Sequence, residues 1–349
     1  IWFGTDGGGV RKVTEGVFEA YTVQNELSSN LAKSFLEDDL GRIWICTKDQ
    51  GINIYEGRQK VDEITQEDGL GGNDICSSME DSQGNFWFAS YNGTLTKYLT
   101  GTFTVIGPAQ GLDCNSVYFV AEVGKDFLWI GTNNGLFELR NDRITKHYTD
   151  RDGLPSNVIY HILPEADGHI WLGTSTGLVE YRQGRFHLIA SEEAIGKNGL
   201  CSLKDAMGTL WIGSVKGLAA MSGDSISFVK ISGAPGAHTI VSLVMEGVQY
   251  LWVGTENGAD RLNLHSFVPT QKAKFEHYTQ KDGLPSLECN ANAAFTDQNG
   301  ALWLGTAEGA IFRPLGTERQ EVKSPPKVYV TSIQNQEGLE WLEQGFEVQ

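Results

Sequence analysis

Long apolar runs are missing from this chain of 349 residues. No stretch of 18 or more apolar residues occurs, so nothing in it reads as a membrane-spanning helix, and no secretory leader is visible. Positive charge is scarce as well: 27 Lys and Arg face 44 Asp and Glu, a formal net charge of −17. The basic residues are scattered singly, without a stripe, which argues against a nucleic-acid partner held by phosphate neutralisation. An acidic surface suits a soluble protein and neutral or cationic ligands. The five cysteines (Cys46, Cys76, Cys114, Cys201 and Cys289) are odd in number and lack C-x-x-C spacing, so they suggest neither a disulfide framework nor a zinc knuckle. No His pair has metal-ligand spacing, and neither a metal nor a cofactor is expected. Sustained helical periodicity is also lacking.

What the chain has is repetition. The phrase apolar-Trp-apolar-small-Thr/Ser occurs eight times, at residues 1–5, 43–47, 86–90, 128–132, 170–174, 210–214, 251–255 and 302–306. Its tryptophans (Trp2, Trp44, Trp87, Trp129, Trp171, Trp211, Trp252, Trp303) are spaced by 42, 43, 42, 42, 40, 41 and 51 residues. Within one period, four short runs rich in β-branched and aromatic residues alternate with turn residues. The clearest copy predicts strand A over 158–163, B over 169–173, C over 178–182 and D over 185–190, with Asp167-Gly168 and Gln183-Gly184 at hairpin turns. Four antiparallel strands at this period predict an all-β fold, a β-propeller, with the strand B tryptophan packed between blades. Hydrophobic residues make up 40% of the chain, ample for such a core, and a ring of small sheets overrides the two-domain expectation from length.

The ends predict the blade count. The first copy lacks strand A and the last lacks strand D. Residues 17–22 can serve as that missing strand, which predicts a seven-bladed ring over 17–316; an eight-bladed ring is the alternative and would leave two blades short. Residues 1–16 then read as a partial blade from an upstream repeat, and the chain reads as a piece of a longer protein. Residues 317–326 read as a linker, and 327–349 as the start of a second, truncated β domain, with strands at 328–333 and 341–348. The spacing of 51 marks an insertion at 263–272, between strands C and D of the penultimate blade.

The segments between strands D and A carry a second motif: Asp152-Gly153-Leu154-Pro155-Ser156-Asn157, Asp282-Gly283-Leu284-Pro285-Ser286 and Asp68-Gly69-Leu70, with degenerate forms at Glu26-Leu27 and Gln110-Gly111-Leu112. Together with Asp-x-x-Gly-x-apolar-Trp-apolar-Gly-Thr, these segments resemble the two-component regulator propeller repeat across nearly all of 1–316. The tail from Pro325 to Ile333 resembles the opening of the immunoglobulin-like domain that follows such propellers. The resemblance implies the periplasmic sensor region of a membrane-spanning regulator of hybrid histidine-kinase type, with an oligosaccharide as a ligand class known in the family.

In a repeat, residues common to every copy serve the fold, and a ligand site breaks the symmetry. D–A loops and B–C turns share one face, around the channel mouth, where ligand sites concentrate. The B–C turns vary most, and from them come the ligand-binding candidates: Asp49, Gln50, Tyr91, Asn92, Asn133, Asn134, Thr176, Lys216, Glu256, Asn257 and Glu308. Amides, carboxylates and an aromatic ring suit a small polar, polyhydroxyl ligand. Asp74, Asp113, Lys197, His238 and Glu288 add irregular D–A positions. His147 and His277 occupy one strand D position and read as repeat residues. No catalytic residue is expected. A lyase or glycosidase would need a positioned pair such as Glu256 and Glu308, and a sialidase would need clustered arginines that the mouth loops lack. A protein-interaction scaffold is the other alternative. The segment is expected to make no membrane contact, and a homodimer through the propeller or the following β domain is the protein partnership this architecture allows.

Overall fold

The computed structural model describes residues 2–5, 9–12, 17–196, 201–223, 225–229, 231–232, 239–267, 273–317, 329–335 and 338–347; side chains are described for these residues apart from 2–5, 9–12, 231–232 and those beyond 317. Lys197, His238 and most of the predicted linker lie outside them. The chain divides into two units, Ile1–Thr317 and Glu318–Gln349. The second contains an antiparallel hairpin, Tyr329–Asn335 with Gly338–Glu347.

The first unit is a seven-bladed β-propeller. Strands A to D of blade 1 are Ala32–Glu37, Ile43–Thr47, Ile52–Glu56 and Gln59–Ile64. Blade 2 opens at Ile75–Glu80, blade 3 at Val117–Gly124, blade 4 at Ile159–Pro164, blade 5 at Cys201–Lys204, blade 6 at Ile240–Glu246 and blade 7 at Cys289–Thr296. The A strands lie against one another around the ring, so they form the channel wall. In the copy used to predict the strands, the structure moves strand A to Ile159–Pro164 and extends strand D to Ser191.

Ring closure follows the prediction in kind and narrows it in extent. Glu19–Tyr21 pairs with Gly309–Arg313 as the fourth strand of blade 7, in the register Glu19↔Phe312, Ala20↔Ile311 and Tyr21↔Ala310. Val17 and Phe18 are buried against Trp252 and Leu302, at the seam of blades 6 and 7. Trp2–Thr5 and Gly9–Lys12 form a two-stranded sheet apart from the blades. The insertion falls between Gly258–Asn263 and Ala273–Tyr278, as expected; its described part is the 3-10 turn Leu264–Ser266. One addition was not foreseen: Ile231–Ser232 pairs in parallel with the outer strand of blade 6.

The apolar core is not one mass but seven clusters, each spanning two neighbouring blades. Trp44, for example, packs on Phe86 and Tyr98 of the next blade, with centroid separations of 5.1 and 5.3 Å. Its indole N–H donates to Asp38 Oδ2 at 3.0 Å, six residues earlier in the A–B turn. The same bond recurs from Trp87 to Asp81, Trp211 to Asp205 and Trp303 to Asp297, and glutamate takes the acceptor place for Trp171 (Glu165) and Trp252 (Glu246). The Asp-x-x-Gly-x-apolar-Trp motif is thus a device for satisfying a buried indole.

The D–A motif has an equally local cause. Thr65 Oγ1 accepts from Glu67 N at 3.2 Å, and Asp68 Oδ2 accepts from Thr65 N at 2.8 Å, a capping box on a single 3-10 turn. Gly69, at φ +122, ends that turn, and Leu70 is buried behind it. The box recurs at Thr149–Asp152 and Thr279–Asp282, and Thr22–Asn25 is its degenerate form, with Glu26 at φ +75 in the glycine place.

Candidate functional site

The B–C turns predicted to hold the site serve first as struts. Asn92 Nδ2 donates to Gly71 O at 2.8 Å, and Asn134 Nδ2 donates to Asp113 O at 2.8 Å. Asn133 Oδ1 accepts from the backbone N–H groups of Asn115 and Ser116 at 3.0 and 2.9 Å. Thr176 reaches Pro155 O at 3.4 Å, and Lys216 donates to Glu193 O. Each of these side chains ties a turn to the D–A segment of its own blade. Asp49 and Gln50 are exposed. Glu256, Asn257 and Glu308 stand on the turns of blades 6 and 7, and no hydrogen bond links Glu256 to Glu308. Tyr91 differs: it faces inward, and its ring meets Tyr118 at 5.9 Å.

Tyr118 leads to a feature that turn-reading missed. Strand A carries a one-residue bulge near its mouth end, between Ala32 and Ser34 in blade 1 and at the equivalent place in blades 2, 3, 4 and 6. A bulge re-aims the side chain it displaces. The residue concerned lies eleven positions before each blade tryptophan: Lys33, Cys76, Tyr118, Tyr160, Val241 and, in blade 7, Asn292. The backbone device repeats while the side chain does not, which is the pattern expected of a site built on a repeat.

Lys33, Tyr118, Tyr160 and Asn292, with Tyr91 and Asp74, line the mouth as two halves, whereas Cys76 at the same position is buried in the core between blades 2 and 3. On blades 2 to 4 runs an arc of tyrosines, Tyr91, Tyr118 and Tyr160, with Tyr118 and Tyr160 centroids 5.3 Å apart. On blades 7, 1 and 2 stand polar groups. Lys33 Nζ donates to Asn290 Oδ1 at 3.0 Å. Asp74 follows the loop asparagine Asn73, and its Oδ1 is buried without a hydrogen-bond partner. Burial, aided by the Lys48 charge, pulls the Lys33 ammonium below its ordinary pKa, against the pull of Asp74. Burial raises the Asp74 carboxyl despite Lys48 and Lys33. Burial also raises the Tyr91 phenol. Burial thus disfavours the charged form of both Lys33 and Asp74, and Asp74 Oδ1 keeps an acceptor place open to a ligand.

Elsewhere the potential sites are already occupied by internal contacts. Two clefts, of about 200 and 150 Å³, open between blades 2 and 3 on the opposite face and at the ring closure. Their charges are spent in the pairs Lys97–Asp142 and Arg58–Glu19. His277 is bound to Asp260 at 2.7 Å, and His147 stacks on Phe137 at 3.9 Å. The five thiols are unpaired, and burial raises Cys46, Cys201 and Cys289 to about 12, leaving them poor nucleophiles. Among the described residues no cluster of three His, Cys, Asp or Glu is placed to hold a metal.

Residues 69–92 and 153–176 match the two-component regulator propeller family. Two stretches of the propeller therefore match this repeat, at places where the motifs implied it. The fold superposes on the extracellular domain of a B. thetaiotaomicron hybrid two-component system with a TM-score of 0.79 and 23% identity, over 99% of this chain and 48% of that one. A second extracellular domain from B. thetaiotaomicron, of a one-component system, gives a TM-score of 0.69 and 24% identity, over 93% of this chain and 44% of that one. This chain spans about half the length of those domains. The virginiamycin B lyase of Staphylococcus aureus gives a TM-score of 0.64 at 14% identity, over 85% of this chain and 98% of that one. At these identities the likeness is one of fold. No curated protein matches the sequence. Among the described residues no helix is long and apolar enough to cross a membrane.

Proposed function

We propose that this propeller is the ligand-sensing part of an extracytoplasmic receptor of the hybrid two-component kind, located in the periplasm. It takes a small polar ligand of carbohydrate class in the mouth basin and performs no chemistry on it. The observation that carries this reading is the bulge ring, in which one repeated backbone position presents tyrosines on one side and Lys33, bonded to Asn290, on the other, beside Asp74. A sugar ring has an apolar face for tyrosines and hydroxyls that both give and accept hydrogen bonds. The repeat matches and the fold support the receptor role: two solved domains of similar shape are extracellular parts of signalling systems. Signalling then requires only that ligand bind two arrangements of the receptor unequally.

Calorimetry with neutral tri- to hexasaccharides of glucose, xylose, arabinose and mannose tests the reading, with Asp74→Asn as the site control. Binding that weakens in the control supports it. Binding that ignores Asp74 and the tyrosines, or turnover of a saccharide, contradicts it.

A further inference from the structure

Blade 7 departs from the repeat where the basin should open into the channel. In the other bulged blades, two steps along strand A answer one step along strand B. In blade 7 the register jumps from Cys289↔Thr306 to Ala294↔Leu304, five steps against two. The excess backbone at 290–293 is firmly held. Asn290 is buried and donates to Ala32 O and Thr306 O, each at 2.7 Å, while its Oδ1 accepts from Lys33. Ala293 is fully buried in the core cluster that includes Phe35 and Trp303. Between these anchors Asn292 takes φ +54, a left-handed conformation that asparagine tolerates better than most residues. Its Nδ2 donates to Tyr160 O at 3.4 Å. Tyr160 belongs to blade 4, on the far side of a seven-membered ring, so this contact crosses the axis.

We propose that the blade 7 bulge is the floor of the basin and sets its specificity. It closes the channel beneath the tyrosines, so the mouth takes a single ring or the end of a polyhydroxyl chain, and not a chain threaded along the axis. The class of ligand rests on the reading above; the floor itself does not. The bulge also joins three blades at the ligand's base, through Asn290 to blade 1 and Asn292 to blade 4.

Two measurements separate these parts. Asn292→Cys combined with Tyr160→Cys, in a Cys114→Ser background that removes the half-buried native thiol, is treated with a short bismaleimide. Most of the protein is expected to carry the 160–292 cross-link. Absence of the link, with each cysteine reactive alone, overturns the floor. Maltohexaose, xylohexaose, arabinohexaose and mannohexaose are then compared with their parent polysaccharides. Affinity counted per chain end is expected to be the same for oligomer and polymer, and to fall by the ratio of chain lengths when counted by mass. Affinity that instead tracks the number of internal units overturns the specificity. If no saccharide binds, the ligand class fails while the cross-link still decides the floor.

Discussion

Trp87 Nε1 donates to Asp81 Oδ2 at 2.7 Å, with both residues buried, and the same bond recurs around the ring. Asp81 Oδ1 also accepts from the backbone N–H groups of Gln83 and Asn85, at 3.0 and 2.9 Å, so one carboxylate folds the turn and satisfies the indole. Burial alone would raise this carboxyl; the bonds from Trp87 and Asn85 outweigh it and hold the pKa below its ordinary value. Asp81→Ala leaves a buried indole N–H and the turn amides unsatisfied. It is expected to cost about 1–3 kcal/mol, read from urea midpoints.

The closing seam contains the deepest charges. Arg313, with no exposed surface, binds Glu246 Oε1 at 2.6 Å, and Glu246 Oε2 takes the Trp252 indole at 2.7 Å. Glu246→Gln leaves the Arg313 cation buried without its counter-charge, for an expected loss of about 3–5 kcal/mol. Pairing Glu246→Gln with Arg313→Met should recover part of that loss, because the Arg313 charge goes with its partner while Arg261, 3.7 Å from Glu246, keeps Glu276 at 2.7 Å; a double-mutant cycle on chemical unfolding measures it.

His161 makes stability depend on pH. It is buried against Phe119, Nδ1 lies 3.2 Å from Ser202 Oγ, and burial lowers its pKa from 6.5 to about 4. Between those values the unfolded chain binds a proton that the folded chain refuses. Stability therefore falls as pH drops from 6.5 toward 4, by about 3 kcal/mol for this group at the acid end. The Asp38 and Asp81 carboxylates, with lowered pKa values, add their loss at lower pH still. Thermal melts from pH 7.5 to 4.5 should show the His161 slope, and His161→Gln should flatten it.

The blade count, the closing strand and the packing of the seven tryptophans from Trp44 to Trp303 were legible because they rest on local spacing that repeats. The site was less so. Tyr91 and Asp74 drew attention as variable loop residues, and five of the other ten turn candidates also brace their own loops, since a polar side chain at a turn finds the neighbouring backbone as readily as a ligand. Tyr118, Tyr160 and Asn292 sit inside strands, where an aromatic or an amide reads as core or drift; only alignment on the tryptophans puts them at one position. A signal for the blade 7 bulge was present too. Asp68 and Asp152 stand nineteen residues before Trp87 and Trp171, whereas Asp282 stands twenty-one before Trp303. Blade 3 shows the same logic by exception: Val123 occupies the acceptor place, and the buried Trp129 indole has no partner.

The proposed sensing role rests on the tyrosine arc as a ligand platform. Removing two aromatic anchors from a binding site costs on the order of 2 kcal/mol or more, a loss of about 30-fold in affinity. Titration calorimetry of the neutral oligosaccharides against the wild-type propeller and its Tyr118→Ala/Tyr160→Ala variant is the direct measurement. One ligand per propeller is expected, bound at least about 30-fold more weakly by a variant that remains folded. Equal affinity in the two proteins would contradict it.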